Sequence, residues 1–105
     1  MFAGIKSGIA ALGMSLLPVL SVAAETPDGA QLFRENCSVC HGIGGRSSLK
    51  DISDPALQDA ISDQGIAEQI RHGTPGRMPS FKGDFNEAEI AALVRYVRAL
   101  RRRER

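Results

Sequence analysis

Apolar side chains recur at helical spacing in the last third of the chain, where Ile90, Leu93, Val94, Val97 and Leu100 would line one face. Asn86 is placed to cap that helix, and Glu89 stands three residues later, as a capping box requires. Arg98 and Arg101 to Arg103 lie at its end, where positive charge suits the helix dipole; the arginine tail is expected to fray into solvent. Earlier, Ile66 and Ile70 mark a helix that stops at Gly73, and Asp54-Pro55 opens a short one with Leu57 and Ile61 on one side. Thr26-Pro27-Asp28 reads as a further start, with a hydroxyl cap and proline at the first helical position. That helix runs to about Asn36 and carries Gly29 and Phe33 one turn apart, with Leu32 beside them. Residues 42–48 are rich in Gly and Ser, and Gly73-Thr74-Pro75-Gly76 reverses the chain, so both read as loop. No stretch alternates apolar with polar residues over a strand's length. The pattern predicts an all-α domain.

The first residues belong to a different pattern. Lys6 gives a positive start, residues 8–20 an apolar run, and Val22-Ala23-Ala24 a small-residue cleavage site, so residues 1–24 read as a secretory signal peptide. The run is interrupted by Pro18 and falls short of the ~20 apolar residues of a spanning helix; only an uncleaved signal would attach the protein to a membrane. Residues 25–105 then form one domain of about 80 residues, small enough that its hydrophobic core needs a staple. Without Lys6, basic and acidic residues are nearly balanced, and the chain has no Trp and a single Tyr. Neither a basic footprint nor a stacking platform for nucleic acid is present.

Two cysteines in an exported chain would ordinarily pair, but Cys37 and Cys40 enclose only two residues, and a disulfide there would constrain little. They begin the pattern Cys37-Ser38-Val39-Cys40-His41, the Cys-x-x-Cys-His of covalent haem attachment. Thiols one helical turn apart can each form a thioether to one edge of the porphyrin, and the adjoining imidazole then faces the iron. A thioredoxin-like use of the pair would need a βαβ context, and zinc two further ligands; the chain offers neither. For the opposite haem face the leading candidate is Met78, the one methionine outside the signal segment, held in a Gly/Pro-rich loop beside Pro79 and Phe81. Met/His ligation favours electron transfer over oxygen chemistry. His72, the other histidine, sits at a helix end next to Gly73, where it suits a surface or capping role.

On these residues the chain resembles a small bacterial class I cytochrome c, over essentially all of residues 25–105. The resemblance rests on Cys37, Cys40 and His41, on the loop Arg77-Met78-Pro79-Ser80-Phe81, and on the Gly29/Phe33 pair opposite Leu93 and Tyr96. It implies that the first and last helices cross at the glycine, with short middle helices wrapped around one covalent haem c. Two departures stand out. No proline occurs between His41 and Asp54 to accept the histidine ring proton through its carbonyl, and residues 25–105 contain only Lys50 and Lys82, too few for a lysine docking ring.

The expected function is therefore a monomeric periplasmic electron carrier, not an enzyme, with haem bound through Cys37 and Cys40 and iron held by His41 and Met78. Its redox donor and acceptor would touch an exposed haem edge briefly. Phe33, Leu57, Ile66, Ile70, Phe81, Leu93 and Val97 are expected to form the apolar pocket, with Arg46, Lys50 and Arg77 as candidate partners for the haem propionates. Two alternatives remain open at this level. The chain could be a cytochrome subunit dedicated to a periplasmic dehydrogenase or oxidase, or, were Met78 not to ligate, a haem enzyme or gas sensor.

Overall fold

The computed structural model describes residues 26–103, so the signal peptide expected over residues 1–24 lies outside the described residues. Five helices follow in order: α1 (Gly29–Asn36), α2 (Ser38–His41), α3 (Pro55–Ala60), α4 (Asp63–His72) and α5 (Glu87–Ala99). Among the described residues extended pairing is limited to two isolated bridges, Thr74 with Met78 and Lys82 with Phe85. No helix among them is long and apolar enough to cross a membrane.

Four of the five helices, all but α2, start where a side chain satisfies their first N–H groups. At α5, Asn86 accepts from the Glu89 N–H at 2.8 Å and Glu89 accepts from the Asn86 N–H at 2.8 Å, the reciprocal box expected from the sequence. Asp54 caps α3 with Pro55 at its first position, and Ser62 caps α4. The start of α1 differs from expectation. Asp28, not Thr26, is the cap, because its carboxylate accepts from both Ala30 and Gln31 N–H groups and so satisfies two donors that a hydroxyl at Thr26 is too far back to reach.

The first and last helices meet at Gly29. A Cβ on Gly29 would strike the Ala92 carbonyl and lie 3.2 Å from the Tyr96 Cβ, so α1 can approach α5 this closely only without a side chain there. One turn on, Phe33 is almost completely buried and its ring lies 5.2 Å from that of Tyr96, tilted by 49°. Around this contact Phe33, Ile66, Ile70, Ile90, Leu93 and Val94 form the buried cluster, with α4 packed on α5. Phe81 and Val97 lie against it, as expected of pocket residues. Leu57 is not among the residues packed there.

The reason is that α3 turns a different face inward. Gln58 is its buried residue, and its amide donates to the Ile52 and Val97 carbonyls, both at 2.8 Å, joining α3 to α5 by hydrogen bonds. Ile61, expected within α3, is extended at its end.

The end of α5 is a second departure, since Arg101 and Arg102 are held and do not fray. The Arg98 guanidinium donates to Asp63 at 2.7 Å and to the Gln58 and Ile61 carbonyls, each at 2.6 Å. Arg101 pairs with Asp59, and Arg102 with Asp51 and, at 3.5 Å, with Asp54. The helix-end charges thus find fixed acidic and carbonyl partners on residues 51–63. The Ser53 hydroxyl and Arg102 hold the Asp51 carboxyl at about 2, below its ordinary value.

Two outcomes are expected. Gly29→Ala gains up to about 1 kcal/mol in helix propensity but forces a methyl onto backbone, where overpacking costs about 1–3 kcal/mol; denaturant unfolding should show net destabilisation. Because the folded Asp51 titrates below its unfolded value, its stabilising contribution is complete above about pH 4 and is lost as pH falls toward about 2. Acid unfolding of Asp51→Asn should consequently show a shallower pH dependence in that window than the unsubstituted protein.

Candidate haem site

A single turn carries the cysteines and the histidine. Cys37 ends α1, donating its N–H to the Phe33 carbonyl at 2.8 Å, and its own carbonyl accepts from Cys40 at 3.2 Å and His41 at 2.9 Å. Cys37 is half-buried against the core, Cys40 is exposed, and both are free thiols. Burial, reinforced by Cys40, pushes the Cys37 thiol up to about 11. That is the opposite of the lowered thiol that disulfide exchange and metal binding use.

His41 closes the turn. Its Nδ1 is buried and has no hydrogen-bond partner, so the missing proline carbonyl has no replacement here. Burial first, and Lys50 second, hold the ring below its ordinary value, which leaves a neutral imidazole at neutral pH. Among the described residues Val39, Ile43 and Leu49 are the exposed large hydrophobics, at 87%, 74% and 72%, all within residues 39–49.

Met78 is supplied by the loop after α4. Gly73 ends that helix at φ +64°, and a Cβ there would collide with the Met78 and Pro79 carbonyls. Thr74 and Met78 exchange both backbone hydrogen bonds at 2.9 Å, Ser80 donates to the Arg71 carbonyl at 2.6 Å, and Phe81 donates to the Ile70 carbonyl at 3.2 Å. The loop is thereby stapled to the last turn of α4. Phe81 and Phe85 stack at 5.2 Å and pack against the core below it.

Gln69 was not anticipated from the sequence. Its amide donates to the Thr74 hydroxyl at 2.8 Å and lies 3.5 Å from the Met78 sulfur, so it supports the side chain as well as the loop. The available signal was its position one turn before Gly73, where an amide can reach a loop folding back on its own helix.

The turn and the loop arise on separate segments but share one core, because Cys37 packs with the buried cluster and α4 contributes Ile66 and Ile70 to it. His72 stays on the α4 surface, 3.2 Å from the Glu68 carboxylate, as expected of a surface histidine. Arg46, Lys50 and Arg77 are exposed. The donor set fits a covalently held haem: two protonatable thiols one turn apart, a neutral imidazole that the protein leaves partly unsatisfied, and a thioether fixed by its backbone.

A helical domain closed at a glycine, with a Cys-x-x-Cys-His turn and a methionine loop on one core, defines a small class I c-type cytochrome. The family profile described as "Cytochrome C oxidase, cbb3-type, subunit III" matches residues 24–97, and the chain belongs to that family of c-type cytochromes. It is 35% identical over 83 residues to the cbb3-type cytochrome c oxidase subunit CcoP of Cereibacter sphaeroides, covering 74% of this chain but only 28% of the subunit. The chain thus spans little more than a quarter of that relative's length. It is 37% identical over 75 residues to cytochrome c6 of Euglena gracilis, covering 66% of this chain and 85% of the relative. Among solved structures, the KustC0563 c-type cytochrome superimposes with a TM-score of 0.67 at 35% identity, covering 71% of this chain and 99% of that one. The protein therefore carries covalently attached haem c.

Gly73→Ala places a side chain in the left-handed region and against backbone at once. It is expected to destabilise the haem-loaded protein by about 1–3 kcal/mol, read from its denaturant midpoint at unchanged slope.

Proposed function

We propose that this chain is an exported, monomeric, single-haem electron carrier of the periplasm, not an enzyme, with His41 and Met78 as the axial ligands. The observation that carries this reading is the fastening of Met78. Its backbone is bonded to Thr74 on both sides and its sulfur approaches the Gln69 amide, an investment in position that a mere space-filling methionine does not need. The expected cleavage after Ala24 supports export.

A bound haem supplies the one-electron couple. Cys37 and Cys40, three positions apart on one turn, would hold it by thioethers, so it could not dissociate between partners. His41 offers a neutral ring nitrogen at working pH. Met78, a soft thioether, favours the reduced metal and raises the potential. Phe33, Ile66, Ile70 and Leu93 keep water from the interior, and Phe81 and Val97 extend that apolar wall. Since the loop bonds around Met78 and the backbone bonds of the Cys37–His41 turn are independent of one another, neither ligand has to be rebuilt when the charge on the site changes.

The 35% identity to a cbb3 oxidase subunit favours one second reading, in which the chain serves a single oxidase or dehydrogenase as its cytochrome subunit. In either case a redox donor and acceptor meet the haem edge through a small, brief contact.

A pyridine haemochrome assay with intact mass should show one haem that survives denaturation. The oxidised protein should show the weak red-region band of sulfur-to-iron charge transfer, and Met78→Ala should abolish it, lower the potential and admit small ligands to the iron. An unsubstituted protein lacking the band, or an unchanged potential in the variant, overturns Met78 ligation.

A further inference from the structure

The segment after α5 is tied back to residues 51–54 through Arg102. Arg102 donates its backbone N–H to the Ser53 carbonyl at 2.8 Å, and its guanidinium pairs with Asp51 and donates to the Ser53 hydroxyl at 3.1 Å. Asp51 in turn accepts from the Ser53 N–H at 3.0 Å and from the Ser53 hydroxyl at 2.5 Å. Ser53 has no exposed surface at all. Its side chain is small and polar, so its complete burial is explained by these bonds and not by apolar packing.

From this buried knot a backbone path leads to the haem-binding turn. Ile52 donates to the Gly45 carbonyl at 2.9 Å, Gly45 donates to the Gly42 carbonyl at 3.0 Å, and Gly42 donates to the Ser38 carbonyl at 2.8 Å, inside the turn that ends at His41. Residues 42–53 include exposed Ile43 and Leu49 and contribute only Ile52 to the surroundings of the core, so little apolar packing holds this loop down. The neighbouring arginines grip elsewhere: Arg98 and Arg101 bind α3 and its ends, at residues 55–63. Arg102 is the member of the series that grips the loop following His41.

We propose that Arg102, acting through Asp51 and Ser53, is a positioning residue for His41: it fastens the 42–53 loop beside the ligand histidine and thereby limits solvent on that side of the haem. The proposal rests on the reading of His41 as an axial ligand. Opening the loop lets water nearer the metal, and a more polar surrounding favours the more highly charged oxidised state. The potential then falls although Met78 and its fastening to α4 are untouched.

The test compares the haem-loaded protein with Arg102→Gln, Asp51→Asn and the double variant, using amide hydrogen exchange, redox titration and the red-region band. Each single variant should exchange about tenfold faster at residues 42–53, beyond any rise in α4 and residues 73–85, and should show a lower potential with the sulfur–iron band retained. The double variant should be no worse than the worse single one, because both remove the same interaction. Unchanged exchange and potential in both single variants overturn the proposal, leaving a surface ion pair without influence on the site. Exchange that rises equally in α1, α4 and α5 also overturns it, since the arginine would then stabilise the whole domain. A band missing already from the unsubstituted protein would instead refute the Met78 reading, which the exchange measurement does not use. An unsubstituted protein whose spectrum shows no histidine ligation refutes the His41 reading, and this proposal with it.

Discussion

The approach of α1 to α5 at Gly29 governs where everything else can lie. A backbone-to-backbone contact is shorter than any contact through side chains, and it is available only because position 29 lacks a Cβ. With the helices held at that distance, Phe33 is driven into the core against Tyr96 and Leu93, and the end of α1 is fixed one turn later. Cys37 is that end. The orientation of the Cys-x-x-Cys-His turn is therefore inherited from a glycine eight residues upstream, and α2 is too short to impose an orientation of its own.

The methionine side is built by another route to the same core. Ile66 and Ile70 seat α4 against α5, and the chain leaving α4 is folded back on its last turn through a glycine that no other residue could replace without strain. Backbone and hydroxyl hydrogen bonds then fix the loop in place of buried side chains. Such a division is sensible chemically. In the proposed role Met78 must expose its sulfur to the metal, so the residues around it cannot be packed solid, and directional bonds are what remain to hold it.

What the sequence made legible was local. The capping box at Asn86 and Glu89, the stop at Gly73 and the haem-binding pentad are each contained in a few consecutive residues, and each was found where the pattern put it. The same holds for the α1–α5 contact only because a family resemblance supplied it; the periodicity of two separate helices carries no information on their pairing. Elsewhere, reading failed where polar groups act over long sequence separations. Gln58 bonds across 39 positions to Val97, and Arg102 across 51 to Asp51, so α3 turned out to bury an amide where Leu57 was expected, and the arginine tail to be fixed where fraying was expected. A rule that ranks residues by apolarity gives no weight to a glutamine whose two donors are both satisfied inside. Gln69 escaped notice for the same reason, since nothing in its neighbours signals a sulfur nine residues away.

The protein's own core is small, amounting to Phe33, Ile66, Ile70, Ile90, Ala92, Leu93 and Val94. A domain of this length gains little margin from so few buried side chains, and the large apolar residues it leaves exposed among those described fall within residues 39–49, in and following the cysteine turn. Covalent haem answers both conditions at once, since it adds a broad apolar surface to the interior and attaches it at two points that the chain cannot release. The polar ties of Gln58, Arg98 and Arg102 then become intelligible as a third means of closure. They secure residues 51–63, which pack against the core only through Ile52 and Ile61. In a molecule with so little to bury, directional bonds to backbone carbonyls do on one side what apolar packing does on the other.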